Sequence, residues 1–150
     1  MKNIFILFLF TVATISVVKG QSTTLNDKQK KDISSLIDKY SQARENRDTV
    51  LLKSILTADI DQLVSTGEWR DGMASSVKGM LRSSASTPGT RTLTIEKLRL
   101  LTATSALVDC KYEILNADGT PRKMWSTFIV VSNKGMWKIS AIRNMLPAGQ

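Results

Sequence analysis

The last quarter of the chain carries its clearest pattern of hydrophobic and polar positions. Met124 to Ser132 and Met136 to Met145 are rich in β-branched and aromatic residues, and Ser132-Asn133-Lys134-Gly135 lies between them. Asn and Gly tolerate the positive φ of a tight reversal, so the pattern predicts a β-hairpin. The first run is apolar on both parities, with Trp125, Thr127, Ile129 and Val131 on one and Met124, Ser126, Phe128 and Val130 on the other. A strand of that kind calls for cover on both faces.

Upstream the period changes. Ile33, Leu36, Ile37 and Tyr40 follow the i, i+3, i+4, i+7 spacing of one helical face and predict a first helix over Thr24 to Arg47. Asp27 and Asp32 near its start and Arg44 and Arg47 near its end complement the helix dipole. Asp48 reads as the N-cap of a short second helix with Leu51, Leu52, Ile55 and Leu56 as its buried stripe. Asp59 to Arg70 changes period around a Thr66-Gly67 turn signal and predicts a small hairpin. Asp71 then caps a third helix to about Ser84, with Met73, Val77, Met80 and Leu81 inward and Gly79 as a weak point. After the breaker-rich Ser83 to Gly89 come strands over Arg91 to Leu101 and Ser105 to Leu115, and then the closing hairpin. The alternation slips near Lys97, which predicts a bulge there.

Met1 to Gly20 stands apart. Lys2, the apolar run Ile4 to Val18 and the Val18-Lys19-Gly20 end have the three parts of a secretory signal, which predicts a periplasmic or secreted protein cut after Gly20; a retained N-terminal anchor is the other reading. The run falls short of the roughly 20 apolar residues that a membrane-spanning helix needs, so no membrane association is expected after cleavage. Residues 21–31 then form an N-terminal extension, and the rest suffices for one domain.

The formal net charge is +8, but the basic residues are scattered among 13 acidic ones. Nucleic-acid binding would call for a basic stripe with interleaved aromatics, so it is not expected. The sequence holds one Cys and no His. An intrachain disulfide and every His-based triad or metal site are therefore excluded, and Cys110 shares strand parity with core-type residues. No cluster of Cys, Asp and Glu suggests a metal, and no Gly-rich phosphate loop follows a strand, so no cofactor is called for.

Two segments resemble a known family. Gly135-Met136-Trp137-Lys138-Ile139 with Arg143-Asn144-Met145-Leu146-Pro147 is similar to the closing strand of small exported SgcJ/EcaC-like proteins, and Ser65-Thr66-Gly67-Glu68-Trp69-Arg70-Asp71-Gly72 resembles their hairpin before the third helix. These belong to the nuclear transport factor 2-like, or SnoaL-like, superfamily, and the resemblance covers roughly Asp32 to Pro147. It implies an α+β, cone-shaped, cystatin-like fold with three helices on a strongly curved antiparallel sheet and a pocket between them. Ketosteroid isomerases, cyclases, dehydratases and pure binding modules share that fold, so it implies no single activity.

Candidate site residues follow from parity. Tyr112 projects from the apolar side of its strand and Tyr40 from the inner face of the first helix. Trp69 and Trp125, like Trp137, suit core, dimer surface or ligand wall equally. Arg70 and Arg143 lie in partly apolar strand contexts, where a guanidinium needs an anionic partner: a ligand carboxylate, or Asp61, Glu68 or Asp71. Asn144 sits on the parity opposite to Arg143. Asp61 is the best acid-base candidate, ahead of Glu96 and of Asp109, which belongs to a charged, solvated face. The leading expectation is a binding module for a small, partly apolar or anionic molecule, homodimeric through the outer face of the sheet. The rival expectations are a cofactor-independent isomerase, cyclase or dehydratase using Asp61 with a Tyr donor, and a structural dimerisation module with a filled core.

Overall fold

The computed structural model describes residues 24–148. The signal-type segment 1–20 lies outside the described residues. Helix α1 spans Asp27–Glu45 and opens on a capping box: Asn26 Oδ1 accepts from the Gln29 backbone N–H, and Gln29 Oε1 accepts from that of Asn26. It therefore starts inside the segment 21–31. Asp48 caps helix α2, Thr49–Ile55, by accepting from the Leu51 N–H at 2.9 Å. Strands β1 (Leu56–Leu63) and β2 (Trp69–Asp71) form the small hairpin, and helix α3 runs over Gly72–Ser86. Asp71 occupies the N-cap position of α3, but its side chain accepts no capping hydrogen bond. Strands β3 (Gly89–Thr102), β4 (Ser105–Asn116), β5 (Pro121–Asn133) and β6 (Met136–Met145) complete the chain.

The six strands make one sheet in the order β2-β1-β6-β5-β4-β3. All neighbours are antiparallel except β1 and β6, which run parallel because the α3 and β3–β5 excursion separates them. Register breaks bend the sheet between Ile95 and Lys97 in β3, between Ile129 and Val130 in β5, and between Leu56 and Asp61 in β1. The break at Lys97 is the one that the slipped alternation predicts. At the β5–β6 turn the positive φ values belong to Lys134 and Gly135, not to Asn133, which still pairs with Met136 as the last residue of β5.

The helices cover one face of this curved sheet. Ile33, Leu36, Ile37, Tyr40 and Ala43 of α1 and Val77 and Met80 of α3 meet Val108, Cys110, Phe128, Val130, Ile139 and Ile142 in one core. Phe128 stands edge-on to Tyr40, with ring centroids 5.2 Å apart and planes at 74°. Cys110 is buried, and desolvation pushes its thiol up to about 12, so it packs as a small hydrophobe and carries no thiolate chemistry at neutral pH.

Candidate functional site

The pleat sorts the candidate residues onto two sides of the sheet. On β1 the buried Ile60 and Gln62 face the helices, so Asp61 and Leu63 face away. Asp61 accepts a hydrogen bond from Arg143, whose guanidinium carbon lies 4.8 Å from the ring centroid of Trp69. Trp125 shares this outer face, with the Lys111 ammonium 5.9 Å from its ring centroid. Thr127 pairs with Arg143 in register and donates to Asp109 at 2.6 Å, while Glu96 takes an ion pair with Lys111 at 3.0 Å. Asp61, Trp69, Trp125 and Arg143 therefore belong to the outer face, and the sheet stands between Asp61 and both phenols. Arg143 has found one of the two partners that its sequence context demands, the structural one.

Tyr40, Arg70 and Tyr112 lie on the inner side, and the structure adds Arg44 and Arg122 to them. From the sequence Arg44 reads as a residue that complements the helix dipole. It also continues the stripe Ile33, Ile37, Tyr40 by one turn, and that spacing puts it inward. Its side chain is only 4% exposed. Nη1 donates to Tyr40 Oη at 2.9 Å and Nε donates to Ser84 Oγ on α3 at 3.1 Å, both neutral acceptors. Among the described residues no carboxylate pairs with it. Burial raises the Tyr40 phenol above its usual value against the lowering pull of Arg44, so this oxygen is a neutral hydroxyl at physiological pH.

Arg70 is 5% exposed, and each of its three nitrogens donates. Nε and Nη2 donate to Glu68 Oε1 and Oε2 at 3.0 and 3.2 Å, and Nη1 donates to Gln62 Oε1 at 3.3 Å. The chain makes room for it. A Cβ on Gly79 would stand 2.7 Å from Arg70 Cζ and closer still to Nε and Cδ, so the glycine inside α3 is what lets the guanidinium lie across the helix. Ser76 Oγ fixes the same strand to α3 by donating to the Arg70 carbonyl at 3.0 Å. Arg122 shares parity with Met124, Ser126 and Phe128, and its Nη2 donates to Ser65 Oγ at 3.2 Å.

Arg44, Arg70 and Arg122 converge with Gln62, Tyr112 and Asn144 on one cavity of about 30 Å³. Asn144 reaches it from the parity opposite to Arg143 and accepts from Ser126 Oγ at 2.7 Å. Val64, Ser65, Ser83, Ile114 and Met124 complete the lining, which includes no carboxylate. A water molecule needs about 10–15 Å³ of such space, so the cavity has room for a compact group. The larger hollows are open grooves, such as one of about 420 Å³ between α1, α2 and the β5–β6 turn. Among the described residues no group of Cys, Asp and Glu could hold a metal ion, and no helix is long and apolar enough to cross a membrane.

No family model matches the chain, and no curated protein matches its sequence. Solved structures do match its shape. A protein from Nostoc punctiforme, described as a domain of unknown function with a cystatin-like fold, superposes with a TM-score of 0.73 at 12% identity over 82% of this chain and 80% of that one. An uncharacterized protein with a cystatin-like fold from Caulobacter vibrioides gives 0.67 at 18% identity over 80% and 90% of the two chains. An NTF-2 like protein of unknown function from Shewanella oneidensis gives 0.66 at 16% identity over 77% and 98%. At such identities the likeness is one of fold alone, and it agrees with the element order and the sheet topology: this chain has the nuclear transport factor 2-like, cystatin-like fold.

Proposed function

We propose that the domain is an exported binding module, periplasmic or secreted, that holds a small anionic molecule at the cavity formed by Arg44, Arg70 and Arg122. One observation carries this reading. Arg44 is a buried cation whose acceptors are two hydroxyls, in a lining that contains three guanidiniums and no carboxylate. A buried charge without a counter-charge is costly, and an anion in the cavity removes that cost. The same lining favours binding over proton transfer, because it includes no carboxylate, His or Lys to take up a proton.

Thermal unfolding with and without acetate or phosphate tests the reading. Either anion should raise the melting temperature of the wild type, because a ligand that binds only the folded state stabilises it by mass action, by about 2.7 kcal/mol at a hundredfold excess over Kd. Arg44→Met should unfold at the same or a higher temperature without anion, since an apolar side chain of similar length relieves a buried unpaired charge. It should show no anion-dependent rise. A rise of equal size in wild type and variant would place the anion elsewhere.

A second reading rests on the outer face, and there we propose a homodimer. Trp125 and Met145 are exposed on it, and Leu107, Ile129 and Val131 are half-buried. In register, Asp71, Asp61, Ala141, Ile129, Leu107 and Arg99 form one row across the sheet, acidic at one end and basic at the other. A two-fold axis near Ile129 would set the acidic end of one copy against the basic end of the other, with the apolar centre buried. Ile129→Lys should convert a dimer to a folded monomer in sedimentation. A wild-type monomer at high micromolar concentration would end this reading and leave the cavity untouched.

A further inference from the structure

We infer that Glu68 is an internal stand-in for the ligand: the molecule bound here presents a compact oxyanion, a carboxylate or an inorganic oxyanion, which takes over the Arg70 fork that Glu68 now occupies. The inference rests on the anion-binding reading and gives it a ligand class and a residue that sets affinity. Three features lead to it. First, the cavity is small, at about 30 Å³, so a compact head group suits it and the rest of any larger ligand must lie outside. Second, the Arg70 guanidinium already makes the two parallel hydrogen bonds by which arginine reads a carboxylate, at 3.0 and 3.2 Å, with a partner side chain that is 43% exposed and comes from outside the lining. Third, Glu68 belongs to the turn between β1 and β2, closed by Val64 N–H to Glu68 carbonyl at 2.9 Å and Gly67 N–H to Val64 carbonyl at 2.8 Å, and Val64 and Ser65 of that turn line the cavity.

Glu68 also has somewhere to go. Arg82 on α3 donates to the same Oε1 at 2.9 Å from an exposed position, so the carboxylate keeps a cationic partner after it leaves Arg70. Its carboxyl is held below the usual carboxylate range, first by the hydrogen bond from Arg70 and then by the charges of Arg70 and Arg82, so it is ionised and competes as an anion across the neutral range. Ligand exchange at Arg70 is then a swap of one carboxylate for another. Arg44 and Arg122, which have neutral partners, supply the affinity that favours the incoming group.

Calorimetric titration of the wild type, Glu68→Gln, Glu68→Ala and Arg143→Ala with formate, acetate and inorganic phosphate tests the inference. Both Glu68 variants should bind the preferred anion about fivefold more tightly than the wild type, on the order expected when an exposed competing ion pair is removed. Arg143→Ala, on the opposite face, should bind as the wild type does. Preference for formate and acetate identifies a carboxylate ligand, and preference for phosphate an inorganic or phosphoryl group. Unchanged or weaker binding in both Glu68 variants would overturn the inference, because Glu68 would then only position Arg70, while the binding reading would stand. No binding of any of the three anions to wild type or variants would remove both.

Discussion

Replacing Phe128 by alanine is expected to cost about 3–5 kcal/mol, the range for deleting a large aromatic side chain from a packed core. Phe128 is 1% exposed, on the central strand β5, and its register partners Val108 and Ile142 are fully buried. Its ring also braces Tyr40, and Tyr40 Oη is one of the two acceptors that hold Arg44. The loss therefore reaches the cavity as well as the core. A domain of this size has about 5–15 kcal/mol of net stability, so the variant should sit near its unfolding threshold. Urea unfolding reads the cost as a lowered midpoint at unchanged slope. A loss under about 1 kcal/mol would contradict the packing described for β5.

Gly79→Ala has the second largest expected effect, and its sign is diagnostic. In an ordinary helix interior this change gains about 1 kcal/mol of helix propensity. Here the new Cβ would meet the Arg70 side chain within 2.7 Å of Cζ, and Arg70 is held in place by hydrogen bonds to Glu68 and Gln62. Overpacking of that kind costs about 1–3 kcal/mol, so the variant should be less stable than the wild type and should lose most of its anion affinity. In an Arg70→Ala background the contacts with the Arg70 side chain are gone. There Gly79→Ala should stabilise by the ordinary helix increment, and the two backgrounds together form a double-mutant cycle. Stabilisation of equal size in both would mean that Arg70 does not lie across α3.

How far the sequence carries this account differs between the fold and the site. The element order, the bulge near Lys97 and the capping role of Asp48 were all legible, because periodicity and turn chemistry are local. The parallel pairing of β1 with β6 was not, since it joins segments whose spacing along the chain states nothing about their contact. The family resemblance pointed to the right fold.

Strand parity placed Tyr112 on the inner side, and it contained more than was drawn from it. Gln62 follows Ile60 by two positions, and Arg122 precedes Met124 by two, so both were marked as inward. Arg44 was marked by the Tyr40 stripe, but a basic residue in a last helical turn has an equally good surface explanation. Asp61 and Arg143 could not be assigned to the outer face without the sheet, because each alternates with a neighbour of comparable polarity: Gln62 beside one, Asn144 beside the other. The role of Gly79 was illegible for a different reason. A glycine that costs helix propensity becomes intelligible only when the side chain that needs the space, nine residues earlier, is seen to cross it.

The claim on which most depends is that the Arg44, Arg70 and Arg122 cavity takes an anion. Anomalous diffraction from crystals soaked in bromide tests it directly, since the halide scatters strongly and is small enough for a cavity of about 30 Å³. The account predicts a bromide peak between Arg44, Arg70 and Arg122 that disappears in Arg44→Met crystals. Bromide found only against exposed lysines, with the cavity empty in the wild type, would contradict it.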